Sequence, residues 1–178
     1  TSISADLHKY GYASKGASVL LYRNMSYMKH QFFISTDWTG GIYASVSIPG
    51  TRPGGPIAAA WAALQHLGED GYLRLAEVAL DATRRLRQGI AEIPQLKVLG
   101  EFHMTAVTFA AADESASVYA IADRMALKGW GCDRQQRPPS IHLTVNANNA
   151  PVVGQYLSDL SECAQEVEDH PELCKQGE

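Results

Sequence analysis

Residues 4–16, SADLHKYGYASKG, crowd His8, Lys9 and Lys15 into a window punctuated by glycine. Lysine and arginine together number only 15 in 178 residues, so two lysines this close invite a chemical reading. A primary amine condenses with a carbonyl to form a Schiff base, and it does so only as the free base. Burial or a cationic neighbour has to lower its pKa for that. Lys15 and His8 are the candidates for the neighbour, and the apolar runs on either side are the candidates for the burial. The bland reading is a solvated turn, and the window alone leaves both readings open.

A second stretch, PGTRPGG at 49–55, joins glycine-freed backbone N–H groups to the hydroxyl of Thr51 and the guanidinium of Arg52. Ahead of a helix N-terminus, such a loop suits a phosphate. It reads equally as an ordinary Pro/Gly turn. There is no Walker motif, no dinucleotide fingerprint and no GxSxG nucleophile elbow. The six histidines are scattered, with no spacing that suits a metal. His142 alternates with Ile141 and Leu143 and reads as structural, while His30, His66, His103 and His170 read as surface or strand-end residues.

The elements that must position these residues follow from periodicity. Residues 2–7 and 17–23 read as two strands around the lysine turn, the second apolar enough to expect burial on both faces. Residues 31–56 show no helical period and are crowded with Gly and Pro, as active loops often are. An Ala-rich helix is expected over 57–67, closed by Gly68, and an amphipathic helix over 69–93, stopped by Pro94. Strands at 96–99 and 103–110, a helix at 116–128, strands near 131–135 and 140–146 and a last helix at 150–168 complete the order. That order is β-β-α-β-β-α, a small α+β domain with an antiparallel sheet covered on one side. Residues 1–56 are expected to belong to something else, and the opening on an apolar alternation suggests a chain taken from a longer one.

Composition narrows the function. Apolar residues make up 46%, which excludes a disordered chain, and a net charge of −4 with no basic block argues against nucleic acid. No apolar run reaches the ~18 residues that span a bilayer. Three cysteines without a CxxC pair suggest reduced thiols and no metal site.

Taken together, SISADLHKYGYASKGASVLLYRN, QFFISTDWTGGIYASVSIPGTRPGG and AAWAALQHLGEDGY closely resemble the pyridoxal-phosphate-dependent sphingosine-1-phosphate lyases. The resemblance is dense over residues 1–72 and continues more loosely through ALKGWGCDRQQRPPSIHLTV (126–145). It implies a fold type I α/β architecture: residues 1–56 as the C-terminal end of the large cofactor domain with an active-site loop, and 57–178 as linking helices and a small α+β C-terminal domain. It implies that Lys9 carries pyridoxal 5'-phosphate, that His8 lies near the cofactor phosphate, and that Lys15 works at the substrate end of the site. Gly50 and Thr51 match a loop that reaches the phosphate in the neighbouring subunit; the family commonly has serine where this chain has Thr51, and the hydroxyl is kept. The implied activity is retro-aldol cleavage of a phosphorylated sphingoid base to a fatty aldehyde and phosphoethanolamine. Lys9 and Lys15 are the local candidates for proton transfer, and the sequence does not choose between them.

The resemblance also implies a homodimer with shared active sites, completed by the N-terminal part of the same protein. That part carries the aspartate facing the pyridine nitrogen and the group stacked on the ring, so these 178 residues alone are expected to make no working site. The Ala- and Arg-rich helices suggest a bacterial, cytoplasmic member. Two other readings stay open: a decarboxylase, since group II amino-acid decarboxylases share the His-Lys pair, and a non-catalytic dimerisation domain. STDWTGGIY, residues 35–43, favours the lyase.

Overall fold

In a computed structural model, residues 1–113 and 115–175 are described. The chain divides into two compact units, Thr1–Asp70 and Gly71–Glu178.

The first unit is built from hairpins. Strand β1 (Ser2–Asp6) pairs antiparallel with β2 (Ser18–Tyr22), in a register that sets Asp6 opposite Ser18 and Ser2 opposite Tyr22. A short helix, α1 (Met25–Met28), is capped by Asn24, whose side chain accepts from the Ser26 N–H. Strands β3 (Phe33–Ser35) and β4 (Tyr43–Ser45) form a second hairpin, with the Phe33 and Tyr43 rings 6.2 Å apart. The expected burial of the second strand on both faces is not found: Leu20 is 46% and Leu21 55% exposed. Its apolar run pairs with β1 alone among the described residues, and no residue of this two-stranded ribbon is fully buried.

Helix α2 (Gly54–Ala91) is two helices run together at Gly68, whose φ of 60° and ψ of −175° are not helical. The break falls where the sequence places the end of the Ala-rich helix. Glycine takes this conformation without the steric penalty that a Cβ brings.

The second unit follows the expected order: β5 (Leu96–Leu99), β6 (Ala106–Ala111), α3 (Val118–Leu127), β7 (Asp133–Gln136), β8 (Pro139–Thr144) and α4 (Val153–Asp169). The sheet is antiparallel, in the order β5-β6-β8-β7. Register puts Val98, Phe109 and Ile141 across from one another, and alternation places Leu96, Val107 and Ala111 on the same face. That face meets the buried side chains of α3 (Val118, Ile121, Met125) and α4 (Val153, Leu160, Cys163, Val167). Ala82, Leu86 and Ile90 of α2 join the same core at helical spacing. Arg124 closes α3 onto α4 through two hydrogen bonds, its Nε and Nη2 donating to Glu166 at 2.8 and 2.5 Å.

Candidate active site

The lysine window is the connection between β1 and β2. It leaves β1 through two turns in which the Lys9 N–H donates to the Asp6 carbonyl (3.1 Å) and the Tyr12 N–H to the Lys9 carbonyl (3.1 Å). The Ala13 N–H then donates to the Leu7 carbonyl at 3.0 Å and closes the loop. Two residues fix its shape. A Cβ on Gly11 would stand 2.5 Å from the Leu7 carbonyl oxygen, so no larger residue fits. Tyr12 adopts φ of 53°, a left-handed conformation that is uncommon outside glycine and often marks functional turns.

Lys9 projects from this loop with its side chain 65% exposed, and its Nζ lies 2.9 Å from Asp6 Oδ2. Asp6 Oδ1 accepts the Ser18 hydroxyl at 2.6 Å, across the last register pair of the hairpin. His8 is half-buried; its Nδ1 lies 3.5 Å from the Ala17 carbonyl and its Nε2 4.0 Å from Asp6 Oδ2. The electrostatics run against the expected cationic neighbour. The Ser18 hydroxyl first, and then the Lys9 ammonium, hold the Asp6 carboxyl below its ordinary pKa. Asp6 in turn raises the Lys9 ammonium above its own. Lys15 is exposed on the same loop.

The glycine-rich loop lies between β4 and α2. Gly50 takes φ of 69°, its N–H donating to the Ser47 carbonyl at 3.2 Å, and Thr51 and Arg52 are exposed. Space is open where a Cβ would stand at Gly50 in the loop and at Gly54 and Gly55 in the first turn of α2. The two loops approach through Gly16, where a Cβ would stand 2.9 Å from the Pro56 ring. His8, Lys9 and Lys15 thus share one loop, while Gly50 and Thr51 occupy a second loop of the same unit. Sequence reasoning missed Asp6 and Ser18. The spacing of Asp6, three residues before Lys9, was visible; its pairing with Ser18 needed the strand register.

The second unit offers a different kind of concavity. A pocket of about 480 Å³ is lined by Trp130, Cys132, His142, Asn149 and Tyr156 among others. Burial pushes the Cys132 thiol and the Tyr156 phenol above their ordinary values and Cys163 up to about 11. These groups are held neutral, so none is an activated nucleophile. All three cysteines are free thiols.

These residues are compatible with pyridoxal phosphate. Lys9 presents a reachable primary amine beside a histidine, and the open backbone at Gly54 and Gly55, in the first turn of α2, with the Thr51 hydroxyl is the donor chemistry a phosphate requires. No helix among the described residues is long and apolar enough to cross a membrane.

No protein-family model matches the chain. The sphingosine-1-phosphate lyase of Arabidopsis thaliana is 44% identical over 171 residues, which are 96% of this chain and 31% of that protein. The structure of the Burkholderia pseudomallei sphingosine-1-phosphate lyase superposes with a TM-score of 0.84 at 38% identity, covering 93% of this chain and 37% of that one. A probable L-tyrosine/L-aspartate decarboxylase of Methanothermobacter thermautotrophicus is 34% identical over 146 residues, 82% of this chain and 39% of that protein. Both lyases match more of the chain, at higher identity, than the decarboxylase does. Along nearly its whole length, the chain matches the C-terminal portion of the sphingosine-1-phosphate lyases in sequence and in fold, and it spans about a third of the length of those relatives.

Proposed function

We propose that this chain is the C-terminal part of a pyridoxal-phosphate-dependent lyase that cleaves the C2–C3 bond of a phosphorylated sphingoid base, giving a fatty aldehyde and phosphoethanolamine. The observation that carries this reading is the match to named lyases over 96% of the chain, with the Lys9 side chain of HKYG exposed at its turn. Residues 1–56 serve as the end of the cofactor domain, and 57–178 as linking helices and the C-terminal domain. The N-terminal part of the protein and a second copy complete the site, in the cytoplasm.

Lys9 holds the cofactor covalently through Nζ, and His8 stands beside its phosphate. Thr51 offers its hydroxyl, and Gly50 the turn that presents it, to the phosphate in the neighbouring copy. When bound, pyridoxal phosphate supplies the electron sink for the pair left at C2 as the C2–C3 bond breaks. The C3 hydroxyl must lose its proton as the aldehyde forms, and Lys15, or Lys9 once released, is the local candidate to receive it. An ammonium at Lys15 also suits the phosphate end of the substrate.

The test uses the complete protein. Wild type is expected to show a borohydride-sensitive absorbance and to release aldehyde and phosphoethanolamine. Lys9→Ala is expected to lose the absorbance and at least ~100-fold in turnover, the scale at which a positioned acid–base group acts. Carbon dioxide release without aldehyde would establish the decarboxylase instead. Full activity in Lys9→Ala would reduce Lys9 to a turn residue.

A further inference from the structure

The function proposed above employs Lys9, His8 and Lys15 and leaves Asp6 without work. Yet Asp6 is the residue that holds Lys9. Its carboxylate is divided between strand β2 and the loop: Oδ1 takes the Ser18 hydroxyl at 2.6 Å, and Oδ2 meets Lys9 Nζ at 2.9 Å. Asp6 closes β1 and Ser18 opens β2 directly opposite, so the hairpin itself fixes the carboxylate. The turn that places Lys9 three residues on, its N–H on the Asp6 carbonyl, folds the lysine side chain back over that carboxylate. His8 Nε2, at 4.0 Å, is the other titratable group facing it. An ordinary surface ion pair has two mobile partners; here one partner is pinned by a cross-strand hydrogen bond.

We propose that Asp6, steadied by Ser18, is the docking acceptor for the Lys9 ammonium whenever that amine is not in covalent use, and so sets how readily Lys9 is recruited. The inference rests on Lys9 being the cofactor-bearing residue. Asp6 is a positioning residue: it acts through Lys9. The amine reacts only after its ammonium has given a proton to solvent; nitrogen then bonds to a carbonyl carbon and the carbonyl oxygen departs as water. Asp6 opposes the first of these events by stabilising the ammonium, and it keeps the amine at one place on the loop. When a substrate amine displaces Lys9 from the cofactor, the freed nitrogen takes up a proton and returns to the same carboxylate.

The test reads the amine without cofactor. The complete protein, stripped of pyridoxal phosphate, is treated with trace succinimidyl acetate across a pH series, and acetylation of the Lys9 peptide is followed by mass spectrometry. Asp6→Asn is expected to label Lys9 about two- to fivefold faster at neutral pH, the range expected for loss of an exposed ion pair. Its pH profile should move to lower pH. Ser18→Ala should move the same way by less, and Asp6→Glu should return towards wild type. Equal rates and profiles in wild type and Asp6→Asn overturn the proposal, and if Asp6→Asn does not fold, Ser18→Ala decides it alone. Because no cofactor is present, the outcome is independent of whether Lys9→Ala loses the cofactor.

Discussion

Lys9 carries a carboxylate rather than a cation at its side, and the loop that presents it is shaped by what its neighbours lack. At Gly11 the obstacle to a side chain is the backbone of Leu7, with the carbonyl oxygen 2.5 Å and Cα 2.8 Å from where a Cβ would stand. Backbone cannot swing aside as a side-chain tip can, so Gly11→Ala must push Leu7 and the adjoining His8-Lys9 pair out of place. In the complete protein this substitution is expected to cost about 1–3 kcal/mol, as overpacking does, and to lower cofactor retention. Gly131→Ala, made where space is open and outside both loops, should stay within ~0.5 kcal/mol of wild type. Denaturant midpoints and bound-cofactor absorbance check both, and equal behaviour of the two variants would contradict the steric account. At this scale the sequence already displayed His8, Lys9 and Lys15, because a motif is a string. Asp6 stayed hidden although it lies within the same string, because its importance comes from Ser18, twelve residues away along the chain and adjacent across the strands.

Among elements, long periodic segments were legible and short ones were not. The break at Gly68 and the order from β5 to α4 follow from helical spacing, strand alternation and glycine placement. Strands β3 and β4 were missed because three residues are too few to show alternation. The apolarity of β2 was read as burial, whereas composition reports what a strand is suited to meet, and pairing decides what it does meet. Also invisible was the clamp on α4: Trp130 Nε1 donates to Asp159 Oδ2 at 2.8 Å, and Lys128 Nζ reaches Asp159 and Glu162 at 3.1 and 2.8 Å. The indole N–H first, then Gln155 and Lys128, hold the Asp159 carboxyl below its ordinary value of 3.8. A depressed folded pKa means that the unfolded chain binds the proton first as pH falls. The clamp therefore contributes fully above the ordinary value and is lost as pH drops through the lower, folded one. The Trp130 indole N–H resonance is expected to shift with a midpoint below 3.8, and Asp159→Asn should abolish that titration. A midpoint at or above the ordinary value would show that the carboxylate is not held.

For the whole molecule, the two units differ sharply in what they bury. Among the described residues, Ala60 is the single buried apolar side chain before residue 71; the others begin at Ala79. The first unit meanwhile exposes Ile3, Met25, Ile34, Trp38 and Ile42, each more than half accessible. A two-stranded hairpin without an apolar cover is marginal in water, whereas the second unit closes a four-stranded sheet against helices. Stability in this 178-residue chain therefore resides in residues 71–175. In hydrogen exchange on the chain by itself, the amides of Val107, Phe109 and Ile141 are expected to be slowest. Those of β1, β2, β3 and β4 should exchange within the dead time of a manual experiment, because local opening there breaks few buried contacts. In the complete protein the ranking should change at Leu20 and Leu21, whose protection is expected to rise by at least ~100-fold if the proposed N-terminal part covers them, an opening cost of roughly 3 kcal/mol at 1.4 kcal/mol per decade. Equal protection of both units in the isolated chain would overturn the assignment of stability. Unchanged exchange at Leu20 and Leu21 in the complete protein would show that both faces of the lysine hairpin are left to solvent even there.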